Sequence, residues 1–215
     1  GCTTQNRISL SIGTTGAMRV LLENFNKKIP KGLWAYNLGK ENTLLGGSFS
    51  EGGNVLMWLK NNLSLPNQNK IEEYLQNVSY NNHGLNVLPF IAGERSLGWS
   101  FDGSFLISGM GLSTSKFDIY QACLEAISYR FGIVADKLLP SLDDNSEIFA
   151  SGGAIQSSEY WLQLMTDVLQ IPINISNISE DTCRGTSILA LKSLGIWDSW
   201  NDVPVNIVKK YFPDS

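Results

Sequence analysis

The sequence predicts an α/β domain with a mixed sheet flanked by helices, and three observations predict it. Strand-type alternation fills the first third of the chain. One long apolar stripe at helical spacing runs from Ser115 to Pro140. Beyond it, strand and helix patterns alternate. Successive strands favour antiparallel neighbours and strand–helix alternation favours parallel ones, so the sheet is expected to be mixed.

In RISLSI, Ile8, Leu10 and Ile12 alternate with Arg7, Ser9 and Ser11, the period of a half-buried strand. AMRVLL, GLWAYNL and NTLLGGS follow as strands, separated by polar turns containing Gly and Pro. The period then changes. Val55, Leu56, Leu59 and Leu63 fall at helical spacing, with Ser48 and Glu51 expected as a capping box ahead of them. Residues 68–78 give a second helical pattern that leads into the loop SYNNHG. LNVLPF is expected as a short buried strand and GSFLISG as another. Ser115 and Asp118 form a capping box for the long helix, whose stripe is Ile119, Cys123, Ile127, Phe131, Val134 and Leu138. EIFAS is a strand running into Gly152-Gly153, and Trp161, Met165, Val168 and Leu169 mark an amphipathic helix. Ile171, Ile173 and Ile175 alternate in the next strand. Ile188, Leu191 and Leu194 lie on a last helix that stops at Gly195.

Composition narrows the function. The 215 residues are 43% hydrophobic and 17% charged, enough to bury a substantial core. A net charge of -4 and a pI near 5.0 leave no basic footprint for nucleic acid. No apolar run is long enough for a membrane span, and the first residues show no signal-peptide pattern. Cys2, Cys123 and Cys183 stand far apart, which fits neither a disulfide framework nor a zinc site and suits a reducing cytoplasmic setting. With no initiator methionine, the chain is expected to start inside a longer protein.

Three glycine sites stand at element junctions. Gly13-Thr14-Thr15-Gly16 links two strand patterns, Gly52-Gly53 opens a helix, and Gly152-Gly153 joins a strand to a helix. Singly, each reads as a turn or a tight packing contact. Together, in an α/β chain, they point to a nucleotide site, with helix-start N–H groups at the second and third expected to be free for an anion. None is a Walker A loop, and G-x-G-x-x-G does not occur at a strand end. His83, the one histidine, is expected to be solvated in its polar loop. Glu94-Arg95 reads first as a local ion pair ordering its turn, with ligand contact as the alternative. Trp58 and Trp161 are expected in the core, and Asp143-Asp144 in a solvated loop.

Five segments in order carry a resemblance: RISLSIGTTGAMRV, GGSFSEGGNVLMWL, LPFIAGERSLGW, ASGGAIQSSEYWLQLMTDVLQIPI and RGTSILALKSLG. They resemble the C-terminal domain of the FGGY carbohydrate kinases over nearly the whole chain. GAMRV and EGGNVLMWL look closest to the bacterial gluconokinases within that family.

The resemblance implies an actin-like, ribonuclease-H-like ATPase fold for residues 1–215. This would be one ATP-binding domain whose sugar-binding partner domain lies outside the chain. By motif, Gly13 and Thr14 would face the ATP phosphates, with Thr15 and Gly16 completing the turn. Gly52 and Gly53 would lie along the nucleotide near its ribose and phosphates. Gly152, Gly153 and Ala154 would border the adenosine, with Ser157 as a polar contact. The implied cofactors are ATP and Mg2+, and the implied partner is a sugar or sugar-acid substrate. No nucleic acid or membrane partner is expected, and a homodimer stays open.

Two departures qualify this. The family's catalytic aspartate, in a Gly-Asp motif, and its Asp-Gly-Thr phosphate motif match nothing here, so no catalytic residue is assigned. The loop after Gly-Glu-Arg, SLGWSFDGSF, is shorter than in many relatives. Xylulokinase or ribulokinase activity is the nearest alternative, followed by a non-catalytic nucleotide-binding module and by a bare α/β scaffold.

Overall fold

The computed structural model describes residues 2–142, 145–176, 181–197 and 206–214; Asp143-Asp144 lie outside the described residues. The chain opens with four strands, β1 (Arg7–Ile12), β2 (Gly16–Glu23), β3 (Trp34–Leu38) and β4 (Asn42–Phe49). Helices α1 (Gly53–Asn62) and α2 (Gln68–Leu75) follow, then a hairpin of β5 (Asn86–Pro89) and β6 (Phe105–Ser108). The long α3 (Lys116–Leu138) leads to β7 (Glu147–Ser151), α4 (Gly153–Gln156), α5 (Glu159–Leu169) and β8 (Ile173–Ser176). Helix α6 (Asp181–Ser193) and β9 (Ile207–Tyr211) complete the described elements.

A seven-stranded sheet in the order β3–β4–β2–β1–β7–β8–β9 carries the fold. Pairing is antiparallel from β3 to β1, parallel from β1 through β7 to β8, and antiparallel again at β9. The sheet is mixed, as expected. The physical reason is the connections: short turns join β1 to β2 and β3 to β4, the loop 24–33 joins β2 to β3, and α3 and α5 form the crossovers that parallel neighbours require.

Alternation sets the two faces of the sheet. Ile8, Leu10 and Ile12 are fully buried on the face shared with α3 and α5, while Arg7, Ser9 and Ser11 point to the other face. The expected α3 stripe is wholly buried, Ile119 through Leu138. Each such large side chain contributes roughly 1.5–3 kcal/mol of hydrophobic stabilisation. The Ser115–Asp118 capping box is present, and Pro140 follows the helix end. At the end of α6, the N–H of Ile196 reaches the Leu191 carbonyl (3.0 Å) and that of Gly195 the Lys192 carbonyl (3.1 Å). With Gly195 at φ 69°, this is the glycine stop the sequence indicated.

Some expectations fail, each for an identifiable reason. Ser48 and Glu51 do not cap α1, because the chain is still extended at Ser48, whose N–H donates to Ser96 Oγ. LNVLPF forms β5, but Asn86 and Leu88 are exposed, since the two-stranded sheet turns one face to solvent. Trp161 is fully buried, with Nε1 donating to Ser128 Oγ, whereas Trp58 is 41% exposed on α1 and meets Phe105 at 5.7 Å. β9 escaped the sequence reading because its residues are mostly exposed and its lysines mask any alternation. Cys2, Cys123 and Cys183 form no disulfide with one another. Among the described residues, no helix is long and apolar enough to cross a membrane.

Candidate nucleotide site

The β1–β2 ladder ends at the pair Ile12 and Gly16, so Gly13, Thr14 and Thr15 form the tip of a hairpin. Thr14 and Thr15 are exposed there. Their N–H groups and hydroxyls donate to nothing among the described residues. The tip carbonyls are occupied. Gly13 O accepts from Gly53 N–H at 2.8 Å and Thr14 O from Asn54 N–H at 3.0 Å. Two first-turn donors of α1 are thus satisfied by the hairpin, and Asn54 Oδ1 accepts from Val55 N–H at 2.8 Å. The expectation of free N–H groups at the start of α1 is corrected accordingly. The helix end seats the hairpin instead of facing an anion.

The glycines make this seating possible. A Cβ on Gly53 would stand 2.6 Å from the Gly13 carbonyl oxygen and 3.0 Å from the Ala154 Cβ; one on Gly52 would stand 2.9 Å from the Thr15 carbonyl carbon. Gly152, at φ 99°, would drive a Cβ into the carbonyl of Ile12. All three glycine junctions therefore meet at one point, at the end of β1 and β7. Gly13 and Gly153 differ from the others: nothing lies within 4 Å of a Cβ built on either, so their open faces look onto free space.

Beside this point lies a cavity of about 270 Å³ between α1 and the β7–α5 segment. Gly53, Ala154 and Ser157 line it, three of the residues singled out in the sequence. Ser157 is exposed and its hydroxyl donates back to the Ala154 carbonyl at 2.8 Å. Met57, Lys60, Gln68 and Tyr120 also line it and were not anticipated. One signal was available: Met57 lies off the apolar stripe of α1 and is 56% exposed. Burial pushes the Tyr120 phenol up to about 12, so it stays protonated at neutral pH and can donate.

Behind Gly52 sits a buried ion cluster. Arg130 Nε donates to Glu51 Oε1 at 3.2 Å, while Nη2 meets Glu94 Oε1 at 2.6 Å and the Ser96 carbonyl at 2.7 Å. The Glu51 side chain is fully buried, and burial raises its carboxyl above the ordinary carboxylate range. Glu94 therefore pairs with Arg130 on α3 rather than with its neighbour Arg95, which is exposed. His83 is likewise not solvated. Its side chain is 3% exposed, with Nε2 3.2 Å from Glu125 Oε2 and Nδ1 accepting from Leu85 N–H. Glu125 is buried on α3, and the loop folds over it to bring donors to its carboxylate.

No group of three His, Cys, Asp or Glu side chains among the described residues could hold a metal ion.

Comparison with known proteins agrees with this architecture. The model of the FGGY family of carbohydrate kinases, C-terminal domain, matches residues 8–194. Gluconokinase of Bacillus subtilis (strain 168) is 27% identical, the match taking in 96% of this chain and 42% of that protein. Glycerol kinase 1 of Thermotoga maritima is 28% identical over 79% of this chain and 35% of its own length. The solved ligand-bound xylulose kinase from Lactobacillus acidophilus superposes with a TM-score of 0.88 at 23% identity, over 99% of this chain and 44% of that one. The chain thus spans less than half the length of the relatives it matches. Its α/β architecture is the actin-like ATPase fold that the resemblance implied. With the family model spanning most of the sequence and the fold shared throughout, the chain belongs to the FGGY family of carbohydrate kinases, as a C-terminal domain.

Proposed function

We propose that this chain is the ATP-binding half of a sugar kinase that transfers the γ-phosphoryl group of ATP to a hydroxyl of a sugar or sugar acid. The observation behind this reading is the convergence of the three glycine junctions on an exposed hairpin tip beside a cavity. The unpartnered N–H groups and hydroxyls of Thr14 and Thr15 would hold phosphate oxygens. The open faces of Gly13 and Gly153 would let the nucleotide lie against backbone. The cavity lined by Gly53, Ala154 and Ser157 would take the adenosine, with Met57 against the base. Gly52 and Gly152 act through packing, by fixing the hairpin against α1 and β7.

The base that accepts the hydroxyl proton would come from outside this chain, as an aspartate. Mg2+ would arrive with the nucleotide and offset phosphate charge. Gluconate is the favoured acceptor, because the gluconokinase match extends over 96% of this chain against 79% for glycerol kinase. Xylulose is the second choice, since the superposition on a solved xylulose kinase covers 99% of the chain.

The test is ATP-dependent phosphorylation by the complete protein, with gluconate, xylulose, ribulose and glycerol as acceptors. Calorimetry with a non-hydrolysable ATP analogue then compares wild type with Thr14→Val, expected to bind about tenfold more weakly. No turnover with any acceptor sinks the kinase assignment. Unchanged affinity in Thr14→Val sinks the phosphate role of the hairpin.

A further inference from the structure

A larger cavity, about 430 Å³, lies on the opposite face of the sheet, between the strands and α6. Ser9, Ser11, Arg19, Phe149 and Ser151 line its sheet side, and Ile188 of α6 closes over them. None of the glycine-site residues reaches it.

Arg19 is the unusual group there. Its Nη2 donates to Ser11 Oγ at 3.1 Å, but its Nε is buried and meets no acceptor among the described residues. Among the described residues it forms no ion pair, and none of those lining the cavity is Asp or Glu. Burial lowers the guanidinium's hold on its proton, while the nearby Cys2 thiol acts in the other direction. A guanidinium does not shed its proton in a protein, so its charge stands partly buried with no acidic partner among the described residues.

The surroundings say what would compensate it. Ser9 and Ser151 add hydroxyl donors beside the Arg19 fork, while Leu21 and Phe149 supply an apolar wall. A planar fork with hydroxyls suits an oxyanion bearing several acceptor oxygens, and the apolar wall suits a carbon body attached to it. The volume is in the range of small-molecule sites, roughly 300–1,000 Å³. We propose that this cavity binds a small organic monophosphate, with its phosphoryl oxygens on the Arg19 guanidinium and its carbon body against Leu21 and Phe149.

The test uses the complete protein with saturating ADP, so that the hairpin is not the available anion site. Inorganic phosphate and phenyl phosphate are titrated by calorimetry into wild type, Arg19→Met and Thr14→Val. Phenyl phosphate is expected to bind saturably and more tightly than phosphate. Arg19→Met should weaken it at least tenfold and Thr14→Val should leave it unchanged. Because Arg19→Met could fold poorly, the ¹⁵Nε resonance of Arg19 is also followed in wild type, where phenyl phosphate should shift it. Absence of saturable binding, equal binding by a folded Arg19→Met, or an unmoved Nε resonance overturns the inference. Loss in Thr14→Val alone would place the anion at the hairpin, overturning this site while leaving the nucleotide reading intact.

Discussion

The carbonyl of Gly13 accepts the N–H of Gly53 at 2.8 Å, and this bond seats the start of α1 on the tip of the β1–β2 hairpin. The same carbonyl is what a side chain at Gly53 would strike. Hydrogen bond and steric limit are two sides of one close backbone approach. That approach determines where the exposed Thr14 and Thr15 donors point.

Two alanine substitutions should separate packing from ligand contact. In Gly53→Ala the new Cβ meets backbone at 2.6 Å, and backbone yields at a cost of about 1–3 kcal/mol. Denaturant unfolding should register that loss. In Gly153→Ala the Cβ meets nothing within 4 Å, so stability should stay within about 0.5 kcal/mol of wild type. The methyl group nevertheless enters the space proposed for the nucleotide, and ATP affinity in the complete protein should fall about tenfold. Wild-type affinity in Gly153→Ala would mean that this space holds no ligand.

The Arg130 cluster supports the same point from behind. Glu51, directly before Gly52, is fully buried, and the Arg130 side chain is 13% exposed. Arg130→Met leaves Glu51 buried without its cation, a loss expected at about 2–4 kcal/mol. The pH dependence has a definite sign. Burial raises the Glu51 carboxyl above its ordinary value of 4.5, although its own backbone N–H and Arg130 pull it part of the way back. A carboxyl raised in the folded state binds its proton more tightly there than in the unfolded chain. Its contribution is full below the ordinary value and is lost as pH rises through the raised one. Urea unfolding from about pH 4 to about pH 7 should therefore show wild type losing stability relative to Glu51→Gln. Parallel curves for the two proteins would contradict the shift.

The elements that the sequence made legible are those where local pattern and tertiary burial agree. In β1, alternation of Ile8, Leu10 and Ile12 is the burial pattern itself, and in α3 the capping box and stripe reinforce each other. Ser48 and Glu51 misled because a helix cap can also come from distant backbone, here Gly13 and Thr14, which leaves no local trace. His83 and Glu94 misled because their partners, Glu125 and Arg130, lie on α3, far away in sequence. For the site, the glycines marked the junctions, but their meeting depends on β1 lying beside β7. Lys60 and Gln68 join the cavity lining from the facing ends of α1 and α2, with Lys60 Nζ donating to Gln68 Oε1 at 2.7 Å, a meeting that local pattern does not show.

The α3 cap gives a prediction on the acid side. Asp118 Oδ2 accepts from Ser115 N–H at 2.7 Å while Ser115 Oγ accepts from Asp118 N–H at 3.2 Å. Burial alone would raise the Asp118 carboxyl, but the hydrogen bonds from Ser115 and from Tyr74 overcome it and hold it below its ordinary value. A carboxyl depressed in the folded state stabilises above the ordinary value, and that contribution is lost as pH falls through the depressed one. Ser115→Ala should cost about 1 kcal/mol at neutral pH. The gap between wild type and Asp118→Asn should shrink as the solution is acidified below the usual carboxylate range. A gap that persists at low pH would show that the carboxylate is not the group responsible.

The loop between α2 and β5 is held by one buried carboxylate. Glu125 Oε1 accepts from Asn81 N–H at 2.9 Å and from Gln121 Nε2 at 3.1 Å, while Oε2 lies 3.2 Å from His83 Nε2 and 3.3 Å from the Tyr129 hydroxyl. With Nδ1 of His83 accepting from Leu85 N–H, Nε2 is the ring nitrogen left to donate to Glu125. His83→Leu removes both bonds and leaves a buried carboxylate short of a donor, at an expected cost of about 1–3 kcal/mol. His83→Gln keeps one amide donor and should recover part of that loss. Hydrogen exchange should quicken at Asn81 and Leu85, whose N–H groups donate into this network, and remain slow in the middle of α3. Uniform quickening along α3 in His83→Leu would show instead that the histidine acts on the whole core and not on the loop.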